Sequence, residues 1–306
     1  MSLQLNPNSF LPASRTTGSE QIVRPSMSYW QDAWRRLKQN KLAFASLFVI
    51  AVLIVMAIIG PMLRPFLYSD QSFIDANKGA SATHWFGTDD LGRDLFVRAW
   101  YGARYSLTIA FLAAFFDLLI GVIYGGIAGS KGGKVDSVMM RIVEIMYGIP
   151  YLLVVIMLLA VMQSGLFTIV IALAAFGWMG MARLVRGQIM QLKEQEFVLA
   201  ARTLGASPTR ILFKHLVPNT LSVIIVNITF TIPSAIFAEA FLSFLGLGIP
   251  VPKASWGTLA SDAIGSLIEG HSYQLFIPAT LISVTMLAFN LLGDGLRDAL
   301  DPRMRR

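Results

Sequence analysis

The sequence predicts an all-α integral membrane protein with six transmembrane helices and both termini in the cytoplasm. Three observations carry that prediction. Hydrophobic residues make up 55% of the chain and charged residues only 14%, whereas a soluble domain carries about 25% charged residues. Six apolar stretches approach the ~20 residues that a spanning helix requires. When the stretches are threaded in order from a cytoplasmic N-terminus, nineteen of the 25 Lys and Arg fall in inner segments and six in outer ones, the asymmetry expected of cytoplasmic loops.

The elements follow in chain order. Residues 1–27 form a polar tail rich in Ser, Thr, Asn and Pro, a composition that lacks the apolar surface for a core. The first apolar run begins only at Leu42, so no signal peptide is expected. Residues 28–41 read as an interfacial amphipathic helix. Ser28 and Gln31 have the spacing of a capping box, and Trp30, Ala33, Trp34 and Leu37 share one face, with Arg35, Arg36 and Lys38 away from it. The six-span body, 42–306, then opens with a span over 42–63. The outer stretch that follows ends in a segment rich in charge and aromatics. There Thr88 or Asp89 is expected to cap a helix through Leu95, Phe96, Ala99 and Trp100, and Asp89, Asp90 and Asp94 to act as solvated partners of Arg93 and Arg98.

The second span covers 107–129. Gly121, Gly125 and Gly129 recur every fourth residue and give it a small-residue face for close helix packing. Asp117 lies mid-span, where a charge must face another helix or a wet cavity. Lys131 to Arg141 reads as a short basic loop. The third span covers 143–162, with a kink expected at Gly148 and Pro150. The fourth covers 166–185. The fifth covers 221–245 and contains Pro233, which should kink it, and Glu239, a second intramembrane carboxylate. Both acids are candidates either for a translocation path or for structural hydrogen bonding. A loop is expected over Ile249 to Tyr273, and the last span covers 275–292.

Between the fourth and fifth spans lies a polar, basic stretch, 196–219. Glu196 to Leu204 consists of good helix formers and ends at Gly205, suited to a helix C-cap. Ser207 can cap a second helix, with Pro208 at its first position. That helix is expected to run to Leu216 and stop before Pro218. Ile211, Leu212 and Leu216 leave Arg210 and Lys214 on the opposite side. The spacing describes a helix-turn-helix bracket between two spans.

This bracket carries a resemblance. Ala200-Ala201, three residues, Gly205, and Val217-Pro218 after a fixed gap resemble the coupling loop of bacterial ABC importer permeases, whose pattern is E-A-A, x3, G, x9, I, x, L-P. Leu199, His215 and Val217 depart from it. The strings GTDDLGRD, YGARYSL, GWMGMARLVRGQIMQLKEQEF and GDGLRDALDPRMRR resemble the oligopeptide and dipeptide branch of the family, in particular its C-type permease subunit. The resemblance implies a type I ABC importer transmembrane domain, multi-pass in the bacterial inner or plasma membrane, that forms half of a translocation path for peptides. It implies a B-type permease partner, two ABC ATPase subunits and an extracytoplasmic peptide-binding protein. Ala200, Ala201, Gly205, Ala206, Ser207 and Pro218 would shape the contact with an ATPase. Related permeases share these motifs, so nickel chelates or glutathione remain alternatives to peptides.

Other chemistry is poorly supported. The chain has no cysteine, which excludes disulfides and Cys-ligated metal. His84, His215 and His271 are too dispersed in sequence for a metal cluster. GSKGGKV fails as a phosphate loop, because Val135 stands where a Ser or Thr must hold magnesium. No cofactor is expected in this chain, and ATP and magnesium would belong to the ATPase partners. No nucleic-acid partner is expected, because the basic residues flank apolar spans. Asn227-Ile-Thr229 is discounted as a glycosylation triplet because it lies inside a span. On residues alone, Asp117 and Glu239 also leave open a proton-coupled secondary transporter.

Overall fold

A computed structural model describes residues 28–301, so the tail expected over 1–27 lies outside the described residues, as do residues 302–306. The described chain is helical and contains no strand beyond an isolated bridge between Thr88 and Asp94. Helix α1 (Tyr29–Gln39) begins with the expected capping box of Ser28 and Gln31. It buries Ala33 and Leu37 and leaves Trp30 and Trp34 exposed, with Lys38 Nζ 5.1 Å from the centre of the Trp34 ring. Asn40 ends α1 and at once caps α2 (Lys41–Ile59). The free carbonyls at the end of α2 are met by Arg104, which donates to Ala57 O and Ile58 O at 2.7 Å each.

Helix α3 runs from Leu95 to Lys131 and is capped by Asp94, which accepts from the Val97 amide at 2.9 Å. Thr88 and Asp89 do not start it. The reason lies in their other bonds: the Asp89 carboxylate accepts from the Leu91 and Arg93 amides, and Thr88 is held against Lys78 and Asp75. Helix α6 (Leu166–Lys193) packs along α3 through the predicted glycine face. A Cβ on Gly121 would lie 2.5 Å from Met181 Cβ, and one on Gly125 would overlap the Ala182 carbonyl. Small residues here allow backbones to approach, which is how helices pack where lipid supplies no hydrophobic drive.

The basic segment 131–141 is not a loop. Gly132 and Gly133 turn the chain at positive φ, and α4 (Gly133–Gly148) starts immediately. Asp136 in its first turn is fixed by Arg186 of α6, which donates from Nη2 at 2.6 Å and from Nε to the other oxygen. The expected break at Gly148 and Pro150 is present: α4 and α5 (Tyr151–Met162) meet at a bend of 80°. Among the described residues five helices are long and apolar enough to cross a membrane, and six segments if this bent pair counts as one span.

After α6 come α7 (Glu196–Thr203), α8 (Pro208–Ile211), a π-helical turn over Leu212–Leu216, and α9 (Val217–Phe244). The second arm of the bracket therefore does not stop before Pro218. Pro218 has no N–H, but the Val217 amide bonds back to Leu212 O and the Asn219 side chain donates to His215 O at 2.5 Å. The wider turn replaces the missing bond, so the helix continues from Pro208 to Phe244. The segment expected as a loop before the last span holds α10 (Trp256–Ile268), and α11 (Tyr273–Leu300) ends the described chain. Pro233 lies inside α9. Close packing recurs at Gly295, whose Cβ would overlap Ala43 of α2.

Candidate functional site

Three regions carry the chemistry singled out in the sequence. The first is the bracket. Helix α7 ends in a complete Schellman arrangement: the Ala206 amide bonds to Ala201 O at 3.0 Å and the Gly205 amide to Arg202 O at 2.9 Å. Gly205 has φ +81°, a conformation that a side chain disfavours and that Gly adopts freely. Ser207 then caps α8 by accepting from the Arg210 amide at 3.3 Å, with Pro208 at the first helical position.

Burial divides the bracket into a base and a tip. Val198, Ala201, Ile211, Leu212 and Leu216 are buried against Met181, Val185, Ile189 and Ile224. Ala206 is half-buried against the same cluster. Ala200, Gly205, Ser207 and Pro218 are exposed. So are Leu199, Phe213 and Leu204, the last at 87%, interspersed with exposed Arg202, Arg210 and Lys214. The base fixes the bracket to the transmembrane helices, and the tip presents apolar side chains among positive charges.

The second region surrounds Glu239. It is fully buried on α9, and each carboxylate oxygen accepts hydroxyl donors. Ser106 of α3 donates at 3.0 Å, Ser243 of α9 at 2.8 Å and Ser255 at 2.5 Å. Ser255 also caps α10, in a capping box with Thr258. The next residue, Trp256, is fully buried and donates from its amide to Ser106 Oγ and from its indole to Ala99 O. One carboxylate thus joins α3 and α9 to the first turn of α10, where a helix N-terminus favours negative charge. Sequence reading singled out Glu239 but missed its three serines: Ser243 lies one turn on along α9, while Ser106 and Ser255 come from other elements.

Beside this node the segment between α2 and α3 folds tightly. Asp89 and Asp94 are buried, not solvated as expected. Asp89 Oδ2 accepts from Arg93 Nε at 2.6 Å and lies 3.4 Å from Arg98 Nε, while Asp94 is 2.8 Å from His84 Nδ1. Only Asp90 remains at the surface. Arg98 also reaches Tyr68 O at 3.2 Å and stands 3.8 Å from Asp262 on α10. Burial pushes the Asp262 carboxyl up, and the Arg98 and Arg93 charges oppose that shift.

The third region is a cavity of about 500 Å³ at the bend between α4 and α5, bounded also by α3, α6 and α9. Asp117 lines it, whereas Glu239 does not. The two acids therefore occupy different environments, and the structure does not join them in one cavity. Among the described residues no group of three or more His, Cys, Asp or Glu could hold a metal ion.

Residues 121–306 match the family model for the binding-protein-dependent transport system inner membrane component, and residues 28–80 match that for the N-terminal TM domain of oligopeptide transport permease C. The chain belongs to this permease family. Relatives agree with the assignment. A dipeptide transport system permease protein DppC of Bacillus subtilis is 59% identical over 94% of this chain and 90% of its own length. An oligopeptide transport system permease protein OppC of the same organism is 54% identical over 98% of each. OppC of Escherichia coli K12 is 43% identical over 94% of this chain and 95% of its own length. The solved MetNI methionine ABC transporter shares the fold with a TM-score of 0.53, at 21% identity, over 68% of this chain and 96% of that one. The permease is thus a multi-pass membrane protein with the transmembrane-domain fold of an ABC importer.

Proposed function

We propose that this permease is one half of the translocation path of an ATP-driven importer of oligopeptides or dipeptides. The substrate class follows the roles of relatives matched over 90% or more of their length. The observation that carries the mechanism is the bracket: a backbone-capped turn fixed by a buried apolar base, with an exposed apolar and basic tip. Such a tip is suited to docking in a groove on a second subunit. In this reading an ATPase subunit holds the tip around Leu204, and Ala200, Ala201, Gly205, Ala206, Ser207 and Pro218 set the shape of the lever. ATP and magnesium belong to two such ATPases. A related B-type permease completes the path, and an extracytoplasmic binding protein delivers peptide. Closure of the ATPases moves the bracket as a rigid body, and the helices follow between inward- and outward-open states. No residue of this chain performs covalent chemistry.

The Lys and Arg asymmetry supports both termini, and the bracket, on the cytoplasmic side. Exposed Trp30 and Trp34 on α1, flanked by Arg35, Arg36 and Lys38, support its seating at the cytoplasmic membrane interface. Glu239 acts as a helix clamp in this scheme, because all of its bonds are made within the fold.

The chain's lack of cysteine allows a direct test. A single Ser207→Cys substitution places a thiol on the exposed turn. A short thiol crosslinker in native membranes is expected to capture an ATPase subunit, identified by mass spectrometry. A thiol that reacts from the cytoplasmic side yet captures no ATPase would count against the importer mechanism.

A further inference from the structure

Asp117 contrasts with Glu239 in having no donor. The residue is 7% exposed, and Oδ1 is buried without a hydrogen-bond partner. The Tyr151 hydroxyl, on the same cavity, is likewise buried and unpartnered. Thr231 and Ser234 complete the polar lining, and their hydroxyls donate back to helix carbonyls on α9, which leaves their lone pairs free. Tyr147 and Phe176 add aromatic rings. Among the described residues no Lys, Arg or His lines the cavity. Arg183 stands outside the lining, 4.3 Å from the centre of the Tyr147 ring. The backbone also makes room for the acid: a Cβ on Gly177 of α6 would overlap the Asp117 carboxylate. Glycine there lets the carboxylate lie directly on α6 at the cavity wall.

A buried carboxylate without donors is costly unless a cation or a proton meets it. One carboxylate among hydroxyls is too small a ligand set for a divalent cation, which takes six or more oxygens at about 2.0–2.6 Å. Aromatic rings and hydroxyl lone pairs around a single negative charge suit a primary ammonium. The cavity also falls within the roughly 300–1,000 Å³ of small-molecule sites. We propose that Asp117, with the Tyr151 hydroxyl, binds the amino end of a peptide during its passage through the permease. This rests on the peptide-importer reading and adds to it a named subsite within the spans.

The test uses the complete transporter in vesicles, with its binding protein and ATPases and a tripeptide bearing a free amino end. Asp117→Asn is expected to lower uptake about tenfold, the scale of one charge-assisted hydrogen bond. Asp117→Glu should restore it to within about threefold. If Asp117→Asn fails to assemble, Gly177→Ala keeps the carboxylate but moves it off the wall, and is expected to show the same loss. A readout specific to contact comes from Ser234→Cys, which lines the same cavity, keeps Asp117 and adds the one thiol to a cysteine-free chain. Transported tripeptide should slow its modification by a small cationic thiosulfonate about tenfold. Uptake by Asp117→Asn within twofold of wild type, or equal modification with and without tripeptide, overturns the subsite. A wild-type complex that imports no peptide overturns the peptide-importer reading itself, an outcome distinct from wild-type import with an indifferent Asp117.

Discussion

The two ends of the permease are built by opposite means. Around Glu239, buried side chains close the structure: three hydroxyls and one carboxylate satisfy one another, and Trp256 seals them. At the bracket, backbone bonds and caps make the shape, and the apolar tip stays exposed. The first arrangement is complete within one chain. The second leaves Leu204, Leu199 and Phe213 uncovered, and such apolar surface gains only when a partner covers it. A mutation at Glu239 should therefore register first in stability, and one at the bracket first in transport.

The largest expected effect breaks the bracket without touching the spans. Gly205→Pro forces φ from +81° to about −65° and removes the amide that bonds Arg202 O. Peptide uptake should be abolished while membrane insertion is retained, as measured by transport and by membrane fractionation. Normal uptake by a well-expressed variant would remove the lever from the mechanism. Next in size, Glu239→Ala strips the shared acceptor from Ser106, Ser243 and Ser255 and should lower stability by about 2–4 kcal/mol. Thermal unfolding in detergent measures this, and limited proteolysis should find α10 the first element released. Unfolding within about 0.5 kcal/mol of wild type would mean that the node holds nothing together.

The same contrast explains what could be read from sequence. The bracket was legible because its causes are local. Gly205, Ser207 and Pro208 act on amides and carbonyls within five residues, and capping rules describe such neighbours. The Glu239 node was legible only as a buried acid. Its partners Ser106 and Ser255 lie 133 and 16 residues away, and periodicity carries no information on pairing at that range. The burial of Asp89 and Asp94 is likewise beyond local rules, since Arg98 beside them reaches Tyr68 O and stands 3.8 Å from Asp262. Two local readings also failed. Pro218 reads as a stop, but burial of Leu212 and Leu216 holds a π-helical turn that accommodates it. Lys131 to Arg141 reads as a basic loop, yet two positive-φ residues at Gly132 and Gly133 suffice for the turn, and the Asp136–Arg186 pair fixes the helix that follows. The α10 signal was present in Ser255 and Thr258, a capping box at the head of an apolar pattern.

Two serines give the finest form of the comparison, because both cap helices. Ser207 accepts from the Arg210 amide and is exposed, so water can replace its hydroxyl. Ser255 accepts from the Thr258 amide and also donates to the buried Glu239 carboxylate. Ser255→Ala removes a cap and a charge-assisted bond together, in a site that water does not reach, and should cost about 2–3 kcal/mol. Ser207→Ala should cost about 1 kcal/mol or less, confined to the first turn after Pro208. Hydrogen exchange can separate the two. Faster exchange is expected across α10 and into α3 at Trp100 to Ser106 for Ser255→Ala, but only at Thr209 to Ile211 for Ser207→Ala. Equal costs would mean that the Ser255–Glu239 bond adds nothing beyond the cap, and the Glu239 node would then be no more closed than the bracket.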